Sequence, residues 1–253
     1  MKITLLGTGT SFGVPVIGCG CEVCRSSNPK DKRRRVAALI ETDTTRILLD
    51  AGPDIREQLL PLDFKPLDAI LITHHHYDHV GGLDDLRPFT YLKTLPIYTT
   101  PDTCEVLRRQ MPYCFPEHHY PGAPTFELIP TLPGETLQIG DVTIQTIGVM
   151  HGDLPILGFR IGSFAFITDM KSISSDEEER LKGIKTLVVN ALRFTKPHNT
   201  HQLVDDAIAF SRRIGASETY FIHVTHDIGL HPEANKKLPT NFHFAYDGQV
   251  ITI

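Results

Sequence analysis

The stretch Asp68-Ala69-Ile70-Leu71-Ile72-Thr73-His74-His75-His76-Tyr77-Asp78-His79 decides how this chain is read. Its first half is a short apolar run rich in β-formers. Its second half is a dense set of metal-type side chains spelling His-x-His-x-Asp-His. Side chains alternate along extended backbone, so His74 and His76 leave the strand on one side and can face a common ion. Asp78 and His79 fall at the turn that follows and can reach a second one. A surface histidine tract needs neither the buried-looking strand in front nor the tight Val80-Gly81-Gly82-Leu83 turn behind.

Working outward, three more apolar strands end on the same residue types. The run 142–149 leads to His151-Gly152, the run 164–168 to Asp169, and the run 219–222 to His223. Strand ends are rigid supports for functional groups. Packing alone does not explain why four of them deliver histidine or aspartate. Such ligands suit zinc, and manganese is compatible by ligand type.

A second cluster, Cys19-Gly20-Cys21-Glu22-Val23-Cys24, lies in the loop 13–32. Clustered thiols in an intracellular chain point to a metal rather than to disulfides. A closed tetrahedral zinc site needs a fourth ligand. His226, three residues past His223, is the natural choice, with His231 as a competitor. Cys104 and Cys114 read as ordinary, partly buried thiols.

Further β-rich runs cover residues 2–6, 36–41, 46–49, 97–99, 158–161, 186–190 and 250–253, with turn residues between them. Helices are expected over 54–60 and 176–181, over 101–110 behind a Thr100 cap and Pro101, and from Asn199 or Thr200 to about residue 214. Strands within and helices outside make a sheet-on-sheet sandwich with helical covers, read as one domain over 1–253 with a zinc loop at 13–32. The proline-rich region 111–133 is the loosest part, a loop or small insertion over the site. A chain of 253 residues with 41% hydrophobic content can bury a full core, and its net charge of −5 gives no general reason to bind nucleic acid. The run Lys30-Asp31-Lys32-Arg33-Arg34-Arg35 reads as a solvated loop. No stretch approaches the roughly 20 apolar residues of a membrane span. The first apolar run is too short for a secretory signal. A cytoplasmic protein without a membrane partner is expected.

The seven residues His74, His76, Asp78, His79, His151, Asp169 and His223 resemble the complete ligand set of the metallo-β-lactamase superfamily, in order and spacing over nearly the whole chain. The resemblance implies an α/β fold, a four-layer αββα sandwich, and a hydrolase with two divalent ions, Zn2+ or Mn2+. It puts His74, His76 and His151 on the first ion, Asp78, His79 and His223 on the second, and Asp169 between them. The N-terminal Gly7-Thr8-Gly9-Thr10-Ser11, the cysteine cluster and the run Gly82-Leu83-Asp84-Asp85-Leu86-Arg87-Pro88-Phe89 are similar to the PhnP-type branch. That branch implies a structural zinc on Cys19, Cys21, Cys24 and His226, and a phosphodiesterase acting on a small cyclic phosphate or nucleotide-like substrate. His201 matches an active-site histidine of the branch. Read as lying at a helix N-terminus, it either donates a proton to the leaving group or binds a phosphoryl oxygen. Asp78 is the second expected catalytic residue, and either it or Asp169 orients the nucleophile as well as ligating. Specificity is expected in 84–87, 112–124 and 198–201. The same resemblance keeps open a tRNA 3′-processing-type nuclease, a lactone or thioester hydrolase, and a non-catalytic carrier like PqqB. Nucleic acid is the weaker partner expectation on charge, and a homodimer is compatible with the relatives.

Overall fold

In a computed structural model, residues 1–118 and 120–253 are described, and they build two seven-stranded sheets. The first takes β1 (Lys2–Gly7), β2 (Ala37–Glu41), β3 (Arg46–Leu49), β4 (Ala69–Leu71), β5 (Leu95–Thr99) and β6 (Phe126–Pro130). The second takes β7 (Thr136–Ile139), β8 (Val142–His151), β9 (Leu154–Ile161), β10 (Phe164–Ile167), β11 (Thr186–Asn190), β12 (Glu218–Ile222) and β13 (Phe242–Phe244). The last strand, β14 (Gln249–Thr252), returns to the first sheet and pairs antiparallel with β1.

The inner strands β2, β3, β4, β10 and β11 are nearly continuously buried because both of their faces are covered. Ile47 and Leu49 of β3 point into the core between the sheets, while Leu48 points to the outer face. Phe164 and Phe166 of β10 join the same inner core, and Ala165 and Ile167 face outward. This period of two makes the sandwich, since each sheet offers one face to the other and one to helices. The helices are α1 (Glu22–Arg25), α2 (Ile55–Leu59), α3 (Tyr77–Val80), α4 (Arg87–Thr90), α5 (Pro101–Gln110), α6 (Ser175–Leu181), α7 (Val204–Ile214) and α8 (His231–Lys236). Ile55 of α2 and Leu107 of α5 cover the first sheet, and Leu181 of α6 with Ala207 and Phe210 of α7 cover the second. The result is a four-layer αββα sandwich, the architecture that the resemblance implies. Among the described residues no helix is long and apolar enough to cross a membrane.

Strand direction puts the chemistry at one end. β1 and β3 both run antiparallel to β2, and β3 through β6 are parallel. β8 and β10 both run antiparallel to β9, and β10 through β13 are parallel. The C-terminal ends of β3, β4, β8, β10 and β12 therefore carry Asp50, His74, His151, Asp169 and His223 to a shared rim.

Several expectations need correction. The region 111–133 contains β6, hidden by its proline-rich surroundings, and β7, β13 and α8 also lie outside the predicted elements. The helix expected from Asn199 or Thr200 begins at Val204, where Asp206 accepts a hydrogen bond from the Leu203 N–H at 3.0 Å. Residues before it are committed elsewhere. Gln202 N–H donates to Met170 O, and Gln202 Nε2 donates to Asn190 O at 2.8 Å. His201 thus lies in a loop and not at a helix N-terminus. The basic run is not simply solvated either. Arg33 is buried and donates to Thr8 Oγ1 at 2.9 Å and Ala245 O at 2.5 Å, and Asp31 is buried beneath the His231 N–H. Cys104 and Cys114 are fully buried. Within the 112–124 specificity segment, His119 lies outside the described residues.

Candidate metal centres

Asp50 anchors the first half of the site. It follows β3, is fully buried, and holds a left-handed backbone with φ 56°. Its carboxylate accepts from the Thr73 N–H at 2.8 Å and the Thr73 hydroxyl at 3.0 Å, which ties the end of β3 to the chain leaving β4. The neighbouring Gly52 packs so tightly that a Cβ there would lie 2.0 Å from Asp78 O. Ala51 N–H donates to His79 O at 2.7 Å, so this turn fixes α3 and with it Asp78 and His79.

His74, His76 and His151 bring ring nitrogens within 4.8 Å of one another. His74 Nε2 is 3.0 Å from His76 Nδ1. The far side of each inner ring is held: His74 Nδ1 meets the Thr73 hydroxyl at 3.0 Å, and His151 Nδ1 meets Thr200 O at 3.0 Å. Asp78, His79, Asp169 and His223 form an adjoining group of the same tightness, with all four buried. His79 Nε2 lies 3.4 Å from Asp78 and 3.3 Å from Asp169, and His223 Nε2 lies 3.5 Å from Asp78 and 3.1 Å from Asp169. Asp169 and His223 repeat the left-handed backbone of Asp50, with φ 57° and 53°. His201 joins at the edge, its Nδ1 3.6 Å from Asp169.

The donor chemistry fits divalent cations. His79 Nε2 and both ring nitrogens of His223 are buried with no hydrogen-bond partner. Orphaned buried polar atoms are costly, and a cation at the two Nε2 atoms would remove their share of that cost. Two N or O ligands on one tetrahedral ion at about 2.0–2.1 Å stand roughly 3.3 Å apart, the spacing seen between these nitrogens and carboxylates. Burial opposes the charge on Asp169, but His223 and His79 outweigh it and hold the carboxyl well below the usual range. Asp78 is held low in the same way, with His79 the main opposing influence. His79 is also buried, yet Asp169, Asp50 and Asp78 hold it well above the usual imidazole value. Buried carboxylates here favour positive charge beside them. His74 is pushed far down by burial and by the nearby imidazoles.

Sequence reasoning missed Asp50. Its Oδ2 lies 2.7 Å from His79 Nδ1, the carboxylate–imidazole arrangement that orients a ligating ring. Only its place at a strand end, before Ala51-Gly52, hinted at this. Asp50→Asn keeps the volume but loses the charge. It is expected to cut affinity for one active-site ion by about 10–100-fold, read by chelator competition. Unchanged metal affinity would remove Asp50 from this role.

Away from this rim, Cys19, Cys21 and Cys24 converge on His226, with Sγ to Nδ1 distances of 3.4, 3.5 and 3.2 Å. All three are free thiols. Backbone N–H groups of Val16 and Cys24 donate to Cys24 and Cys21 sulfurs, both at 3.4 Å. That Cys24 N–H pulls the exposed Cys21 thiol down to about 7. Such a set can close around one zinc. His231 is held elsewhere, 3.1 Å from Arg33 Nη2.

Residues 45–224 match the family described as the beta-lactamase superfamily domain. The chain is 45% identical over 249 residues to an octanoyltransferase of Porphyromonas gingivalis (strain ATCC BAA-308 / W83), covering 98% of this chain and 51% of that protein. It is 33% identical over 144 residues to a ribonuclease Z of Bradyrhizobium sp. (strain ORS 278), covering 54% of this chain and 47% of that one. The matches thus span about half the length of these curated relatives. Among solved structures, a diphosphatase from the PhnP family superposes with a TM-score of 0.91 at 38% identity, covering 99% of this chain and 97% of that one.

Proposed function

Since the chain belongs to the metallo-β-lactamase superfamily, a family of metal-dependent hydrolases, we propose that it hydrolyses small phosphodiesters of cyclic or nucleotide-like kind. His74, His76 and His151 would hold one divalent ion, Asp78, His79 and His223 a second, with Asp169 shared and zinc or manganese as the metal. Such a pair neutralises phosphoryl oxygens and lowers the pKa of water. Cys19, Cys21, Cys24 and His226 would hold a separate structural zinc.

The observation that carries the phosphoryl reading is the placement of His201. Its ring packs against His151 and His223, at centroid distances of 4.6 and 4.7 Å, beside both ion pockets. Burial, with His223 next to it, pushes this imidazole down to about 2. In its neutral form the ring would bind a phosphoryl oxygen through an N–H. Asp78, held ionised, can accept a hydrogen bond from the attacking water. The identity to a PhnP-family diphosphatase supports chemistry at phosphorus, and also favours a second reading, cleavage of a diphosphate linkage.

A panel of bis(p-nitrophenyl) phosphate, 2′,3′-cyclic nucleotides, a phosphoribosyl cyclic phosphate, a nucleoside diphosphate and a lactone, run at known metal content, tests this. Turnover of the lactone alone would overturn it. His201→Ala should slow nitrophenyl and alkyl diesters alike, by about 10²-fold, without changing metal content. A much larger loss on the alkyl diester would instead assign His201 to protonating the leaving oxygen.

A further inference from the structure

The imidazoles beside the ion pockets form a row that leads outward. His151 and His223 are buried in the wall, His201 packs at a tilt against both, and His198 follows with its centroid 5.0 Å beyond that of His201. His198 is half-buried, at the mouth of the row. Its ring is oriented by its own loop. The Thr200 N–H donates to His198 Nδ1 at 3.3 Å, with the Thr200 hydroxyl at 3.2 Å from the same atom. A nitrogen that accepts carries no proton, so the neutral ring holds its proton on Nε2. The backbone is also fixed. Lys171 Nζ donates to His198 O at 2.7 Å and to His201 O at 3.2 Å, joining this loop to the segment just past Asp169.

The corner is electropositive. Beyond burial, Arg193 is the strongest influence on the His198 ring, and Lys171 acts on it as well. Asp227 partners Arg193 at 3.3 Å on one side of the corner. A donor N–H one ring outward from His201, on a loop held by Lys171 and within the influence of Arg193, suits an oxyanion attached next to the group under attack.

We propose that His198, through Nε2–H and backed by Lys171 and Arg193, binds a second phosphoryl group adjacent to the scissile one. The substrate class is then a small molecule with two neighbouring phosphoryl groups, such as a nucleoside diphosphate or its ester, rather than an isolated monophosphodiester. This rests on the phosphoryl reading of the metal-type rim and narrows it.

The test is calorimetric titration of the metal-loaded protein, free metal removed, with AMP and with ADP. Wild type should bind ADP about tenfold more tightly than AMP, the size expected of one hydrogen bond to a charged group. His198→Ala should abolish that preference while AMP affinity and metal content stay put. His198→Gln, which keeps an N–H donor, should recover part of it. An ADP preference that is missing from wild type, or that survives in His198→Ala, overturns the proposal, as does an equal loss for AMP and ADP. Turnover of bis(p-nitrophenyl) phosphate and of ADP by wild type is measured separately. The absence of both would overturn the hydrolytic reading, while the AMP and ADP titrations still decide the role of His198.

Discussion

Asp169→Ala is expected to lower hydrolysis of any accepted phosphodiester by on the order of 10³-fold or more, since metal-ion charge stabilisation is worth several kcal/mol and each 1.36 kcal/mol is tenfold. The carboxylate belongs to the second ligand group and also lies within 4.8 Å of a ring nitrogen of His151 in the first. One oxygen is 3.3 Å from His79 and the other 3.1 Å from His223. Alanine removes this anion and leaves those two rings facing each other across a buried gap. The variant should also bind fewer active-site ions, measured by elemental analysis beside the rate. Normal metal content together with wild-type turnover would show that Asp169 is not shared between two ions.

Cys21→Ser should act on stability instead. The loop that carries α1 has a small apolar cluster of its own, in which Val14, Val23 and Cys24 are the buried members. Four ligands closing on one zinc would supply the rest of its order, because binding to the folded state alone is folding free energy. Loss of one thiolate is expected to cost about 3 kcal/mol and roughly 10 °C in Tm, at about 2–4 °C per kcal/mol for a chain near this size. One zinc per chain should disappear, while the fraction still folded turns over normally. An unchanged melting temperature and zinc content would dissolve the structural-site assignment.

Local chemistry made part of this site legible in the sequence. His74, His76, Asp78 and His79 are neighbours in the chain, and the strand before them reports its own burial through composition. His151, Asp169 and His223 were readable one at a time, because each follows an apolar strand. What joins them is pairing between distant strands, which leaves no local trace. Asp50 shows the difference: its task depends on β3 lying parallel to β4, so that Thr73 and His79 come to it. Helix starts fail for a related reason. Asn199 and Thr200 have the composition of a cap, yet the chain there is held by Thr200 O against His151 and by Gln202 against Asn190. Tertiary ties overrode the local preference and delayed α7 to Val204. β6 was obscured by its own neighbours, since Pro130 ends a strand in which Glu127 also interrupts the apolar Phe126, Leu128 and Ile129.

Each of the two rim pockets takes donors from both sheets. His74 and His76 come from the first and His151 from the second, while Asp78 and His79 of the first meet Asp169 and His223 of the second. A copy of either half of the chain would inherit only part of each pocket and no complete one. The strand that closes the first sheet, β14, comes from the far end of the chain, so even the first half cannot finish its own sheet. This chemistry is therefore heritable only as a whole. It can be moved beside another domain or carried inside a longer protein, but neither half carries it alone.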